Sequence, residues 1–378
     1  MLATRQLICL SVLGGTCPKG IVLAKGHNMR LSIAVLLLPF GVIHCAQRPP
    51  LPVLDMHMHA QAADSNGPPP LAVCAPFPEF MPRDVREDYS AAFVAMQKKP
   101  PCADPVWSPA TDDGVMNATL EVLRRRNIIG VLSSPDSTMD RVRLWQDAAP
   151  DRIIPALGFN VGATSPTPAM IARLHEQGQF VVFGEVAIQY QGYSPSDDAF
   201  EPFLAMAEQR DIPVGIHIGT GPSGAPYLDA PHYRARLHSS LLLEEALIRH
   251  PKLRVYIMHA GWPMLDDLLA VLWVHPQVYL DVAVIDWALP RAEFHRYLQR
   301  IVEAGFGSRV MFGSDQMTWP GVIERALQAV ESAPFLNDAQ KRNILYNNAA
   351  RFLRLSDAQI AAHHGTEPIE GRPRSDHP

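Results

Sequence analysis

Leu54-Asp55-Met56-His57-Met58-His59 is the stretch from which the fold is read. An apolar run entered at 52–57 closes on two histidines spaced two apart. In a strand, residues two apart project to one side, so His57 and His59 form a pair of imidazoles. Alone, a His-x-His is weak in a chain with 15 histidines. The rest of the chain gives the pair its weight. Similar apolar, β-branched runs recur at 128–133, 153–159, 180–186, 213–218, 253–259, 278–284 and 309–313. Most are apolar throughout rather than alternating, as in strands buried on both faces.

Segments of helical period separate these runs. Residues 115–126 end in Arg124-Arg125-Arg126, where positive charge suits the helix dipole. Residues 168–177 end at Gly178, and 197–210 follow the cap cluster Ser194-Pro195-Ser196. The segments 241–249 and 264–273 stop before Pro251 and Pro276. The ranges 291–304, 322–332 and 338–355 complete the series. An eightfold alternation of strand and helix predicts a closed α/β barrel, the (β/α)8 or TIM barrel, over 47–355. A Pro-rich insertion, 61–113, interrupts it after the first strand and reads as a lid. The polar tail, 356–378, reads as disordered.

The other ligand-type residues fall at the carboxyl ends of these strands: Glu185 in the fourth, His217 in the fifth, His259 in the sixth and Asp315 after the eighth. A barrel gathers such ends at one mouth, where barrel enzymes keep their chemistry. Histidine and carboxylate together suit a divalent ion, zinc first, with manganese, iron or cobalt accepted by the same donors.

Taken in order, this set resembles the amidohydrolase superfamily, in particular the amidohydrolase-related branch that includes aminocarboxymuconate semialdehyde decarboxylase and dicarboxylate lactonases. The resemblance runs over roughly 53–355 and includes Asn347-Asn348-Ala349-Ala350-Arg351-Phe352 near the end. It implies that His57, His59 and Asp315 hold one metal, that Glu185 bridges to a second, and that His217 and His259 hold that second ion. In single-metal members, His217 joins the first site and His259 acts on substrate or water. It further implies a hydrolase in which a metal-activated water attacks a lactone, ester or amide, with Asp315 as proton shuttle and His259 as a further catalytic group. A metal-dependent decarboxylase and an inactive exported binding protein are the alternatives. Tyr190, Tyr227, Arg234, Trp262 and Trp319, just beyond the strand ends, are candidates for orienting a small-molecule substrate.

Several motifs point elsewhere or nowhere. Gly219-Thr220-Gly221-Pro222-Ser223-Gly224 matches a dinucleotide fingerprint, but Ala225-Pro226-Tyr227 continues a loop where that fold opens a helix. No Gly-x-Ser-x-Gly is present. A net charge of −5 gives no footprint for nucleic acid. Met29-Arg30 and the apolar run 31–43 read as a signal peptide, 29–46, preceded by an upstream extension, 1–28. The protein is therefore expected to be exported, periplasmic or secreted, with Cys45 open to lipid attachment and hence to a membrane. In such a compartment Cys74 and Cys102 are expected to pair.

Overall fold

The computed structural model describes residues 50–366, except 81, 83, 163, 164 and 220. The upstream extension, the signal peptide and Cys45 lie outside the described residues. Eight parallel strands run in chain order: β1 Val53–His59, β2 Ile128–Pro135, β3 Ile153–Phe159, β4 Val182–Val186, β5 Val214–His217, β6 Val255–Met258, β7 Tyr279–Asp281 and β8 Val310–Met311. Two backbone hydrogen bonds join the chain just after the last strand back to the first, Met56 N to Phe312 O at 2.9 Å and Asp315 N to His57 O at 2.7 Å. The architecture is that of a TIM barrel.

The strands bury two sets of side chains. Leu54, Met56, Ile129, Val131, Tyr256, Met258 and Met311 pack together inside the barrel, and Tyr346, Ala349 and Phe352 join them. Val53, Met58, Ile128 and Leu132 instead pack with the surrounding helices. Strict alternation from Leu54 would place Met58 inside and His57 outside. A register shift between Asp55 and Met58 reverses the phase, so that His57 and His59 turn inward. A second shift, between Phe183 and Val186, accompanies Glu185. Both irregularities lie on strands that carry polar residues of the mouth.

The helices expected from periodicity are present, and others join them. Met139–Ala148, between β2 and β3, buries Met139, Val142 and Trp145 at a spacing of three. Its charged surroundings, Asp140, Arg141, Arg143 and Asp147, hide that stripe from a reading of apolar runs. The segment read as one closing helix, 338–355, is helical over Asp338–Arg342 and Asn348–Phe352, with a wider turn at Asn343–Asn347 between them.

Part of the tail departs from the expectation, while 367–378 lie outside the described residues. Residues 356–366 are ordered, with a helix at Asp357–His364. Ser356 and Gln359 form a reciprocal cap at its start, and His363 pairs with the Tyr346 hydroxyl at 2.9 Å. A polar composition does not preclude order where capping and one docked side chain satisfy the chain.

The insertion is structured as well. Ala72–Val73 pairs antiparallel with Val106–Trp107, and a helix covers Tyr89–Lys98 behind the Asp88 cap. Cys74 and Cys102 form a disulfide between Cα atoms 5.8 Å apart. The insertion is tied to the loops of the barrel mouth. Trp319 Nε1 donates to Leu71 O at 3.0 Å, Phe77 N to Ala288 O at 3.0 Å, and Tyr89 Oη to Ser223 O at 2.8 Å.

Candidate metal centre

The carboxyl ends of β1, β4, β5 and β6, with the segment after β8, bring His57, His59, Glu185, His217, His259 and Asp315 together. Three sets of donor atoms lie within 4.8 Å of one another: His57, His259 and Asp315; His57, His59 and Glu185; and Glu185, His217 and His259. Glu185 belongs to two of them, and its oxygens divide between two sides. Oε2 stands 3.8 Å from His57 Nε2 and 3.6 Å from His59 Nε2. Oε1 hydrogen-bonds to His217 Nδ1 and lies 3.2 Å from His259 Nε2. Asp315 Oδ1 is 3.0 Å from His59 Nε2.

Close backbone approach makes this convergence possible. A Cβ at Gly313 would stand 2.9 Å from that of His57, so only glycine permits the segment after β8 to pass so near. His259 and Asp315 have φ of +60° and +45°, in the left-handed region that costs a non-glycine residue about 1 kcal/mol or more. Gln316 grips the backbone of His59 from both sides, donating to its carbonyl at 2.6 Å and accepting from its N–H at 3.1 Å.

The electrostatics follow from burial and mutual charge. Burial opposes charge on His57, Glu185, His217, His259 and Asp315. Against it, Asp315, Asp281 and Glu185 hold the His57 imidazole well above its usual range. Burial likewise opposes ionisation of Glu185, but His217, His259 and His57 hold that carboxyl well below its usual range. His57 and His59 hold Asp315 low against the same penalty. His217 is pushed down, first by burial and then by His259 and His57 against the opposing charge of Glu185. The donor set also fits a cation on geometry. The Nε2 atoms of His57 and His59 converge to 3.2 Å, and His217 Nδ1 and His259 Nε2 to 3.0 Å. Lone pairs meeting head-on require a proton or a positive ion between them. Nitrogen and carboxylate donors suit divalent zinc, manganese, iron or cobalt.

A family model described as Amidohydrolase matches residues 54–355. The chain belongs to the amidohydrolase family. It is an enzyme of that type. No curated protein matches it. Among solved structures, an uncharacterised TIM-barrel protein from Bordetella bronchiseptica is 19% identical with a TM-score of 0.53, covering 82% of this chain and 100% of its own. A probable 2-pyrone-4,6-dicarboxylic acid hydrolase from Acinetobacter baumannii is 16% identical with a TM-score of 0.51, covering 80% and 99%. A 5-carboxyvanillate decarboxylase from Novosphingobium aromaticivorans, solved with bound manganese, is 13% identical with a TM-score of 0.52, covering 82% and 98%. At these identities the likeness is one of fold.

The residues proposed to orient substrate in this amidohydrolase part company in the structure. Tyr190 is at the centre, its ring 5.1 Å from that of His217 and edge-on to it. Burial, then the charges of Glu185, Tyr233 and Asp315, push its phenol well up, so it remains a donor. Trp262 follows His259 closely in sequence, with Nε1 3.4 Å from Glu293 Oε1. Trp319 is buried and pins the insertion. Tyr227 is exposed, with its ring against Tyr89 of the insertion. Arg234 is exposed and donates to the carbonyls of Pro231 and Tyr233.

Sequence reading missed others. Tyr233 packs on Tyr190 with ring centres 5.0 Å apart, and His238, fully buried, lies 5.3 Å from His217. Both sit in the long loop after β5, where no periodicity marks a site. Asp281, at the end of β7, and Asp286 are fully buried carboxylates near the centre. Asp281 was detectable by the criterion that singled out Glu185, a charged residue ending an apolar run.

Proposed function

We propose that this amidohydrolase is a metal-dependent hydrolase acting on a carbonyl-type centre, a lactone, ester or amide, of a small substrate. The observation that carries the reading is Glu185, with one oxygen toward His57 and His59 and the other toward His217 and His259. A carboxylate so placed would serve two ions, with His57, His59 and Asp315 to hold one and His217 and His259 to hold the other. Divalent ions held there, zinc first, would supply Lewis-acid polarisation of the carbonyl and an acidified water. Asp315, held ionised by the histidines around it, takes the proton from the attacking water and passes it to the leaving group. His259 is placed to share that proton traffic through Nε2, its Nδ1 being tied to the Ala283 carbonyl at 3.0 Å. Tyr190 keeps its proton and donates to developing negative charge.

The test is metal content per chain for the wild type and Glu185→Ala. About two ions falling to one or none supports the bridged site and the hydrolytic reading. About one ion, unchanged by the substitution, overturns the bridge and favours the single-metal, decarboxylase reading, in which His217 joins His57, His59 and Asp315 and His259 acts on substrate or water. No ion after reconstitution overturns the proposal. Export is part of the same reading, supported by the apolar run after Arg30 and by the disulfide; N-terminal sequencing of the mature protein tests it.

A further inference from the structure

We infer that Asp281 is a positioning residue that holds His57 in the tautomer whose Nε2 lone pair faces the proposed metal centre and, through its other oxygen, sets the backbone of His259. The inference rests on the proposed metal centre. Asp281 ends β7 and is fully buried. Its Oδ1 accepts from His259 N at 2.9 Å and Ala283 N at 3.1 Å. Its Oδ2 stands 3.3 Å from His57 Nδ1. Neither of those last two atoms makes a hydrogen bond among the described residues, so each is left facing the other at ion-pair distance.

A neutral imidazole carries one N–H and one lone pair. A carboxylate beside Nδ1 draws the proton there and leaves the lone pair on Nε2. In His57 it is Nε2 that faces His59, Glu185 and Asp315. The same carboxylate holds the N–H of His259, whose backbone lies in the left-handed region. One side chain of β7 thus registers a ligand of β1 against a ligand of β6.

Asp281→Asn separates the two roles. The amide oxygen can keep both backbone bonds at the Oδ1 position, while the amide nitrogen then faces His57 Nδ1. That donor favours the wrong tautomer, with the proton on Nε2. Zinc and manganese affinities of the full chain, measured by competition with a chelator, are expected to fall ~10–100-fold in Asp281→Asn, with the far-UV circular dichroism spectrum unchanged. Equal affinities of wild type and variant overturn the inference, because anchoring of the backbone alone predicts a silent substitution. A wild type that binds no metal overturns the proposed function itself, and this inference with it, which keeps the two failures distinct. If the variant does not fold, the metal-loaded wild type decides by NMR. A His57 Nδ1 proton downfield of that of His59, whose Nδ1 meets the Ser133 hydroxyl at 3.1 Å, supports the carboxylate bond, and its absence overturns it.

Discussion

His238 illustrates how one buried side chain ties the stability of this enzyme to pH. Its ring lies between those of His217 and Tyr233, at 5.3 and 4.6 Å. Burial, followed by the charges of His217 and His259, pushes its pKa down to about 2. Above the ordinary histidine pKa of 6.5 both the folded and the unfolded chain hold this ring neutral, and its contribution to stability is complete. As pH falls below that value, the unfolded chain gains a proton that the folded chain refuses until about pH 2, so stability declines. From pH 6.5 to 5 the loss is about 2 kcal/mol, at 1.36 kcal/mol per pH unit. His238→Phe keeps a ring in the space and removes the proton site. Denaturant unfolding at pH 7 and pH 5 is expected to show the wild type losing about 2 kcal/mol more than the variant. Equal losses would show that this ring does not set the acid limit.

At the scale of elements, the stability of the insertion is expected to be separable from that of the barrel. Its two strands have only two residues each, too few to stand without support. The support comes from the disulfide, which closes a separation of 28 residues, and from the hydrogen bonds to Trp319, Ala288 and Ser223. Closing a loop of that length removes unfolded-state entropy corresponding to about 3–4 kcal/mol. Replacing Cys74 and Cys102 with serine is expected to speed amide exchange through 71–107 while β2 to β6 keep their protection. Uniform loss of protection would mean that insertion and barrel open as one unit. Gly224 marks how closely the insertion docks. A Cβ there would fall 2.1 Å from the Tyr89 ring, so the glycine run that mimics a nucleotide motif serves as a seat for the insertion helix.

For the whole molecule, the proposed metal centre joins five parts of the chain that are distant in sequence, so metal binding should stabilise the barrel globally. Free metal at a hundredfold excess over Kd contributes about 2.7 kcal/mol to the folded state. Addition of a strong chelator is therefore expected to lower Tm by several degrees, and restoring zinc or manganese to recover it. An unchanged Tm under complete chelation would mean that the six side chains are organised without an ion. Much of this arrangement was legible in the sequence. The eight apolar runs marked the strands, and a polar residue at the end of a buried strand has little reason to be there except for a site. The order of His57, His59, Glu185, His217, His259 and Asp315 was visible for that reason. The helix Met139–Ala148, the capped helix in the tail, and the loop residues Tyr233 and His238 were not, because their signals are short and rest on partners far along the chain. The amino-acid order by itself determined the strand–helix alternation and the chemical types at the barrel mouth, since both depend on local periodicity. Which way β1 faces at its end, which Glu185 oxygen meets which histidine, and that Asp281 touches both His57 and His259 were decided only by tertiary structure. A two-residue repeat specifies that side chains share a face, but the register shift at Asp55–Met58 chooses the face, and that shift exists only once β1 is paired.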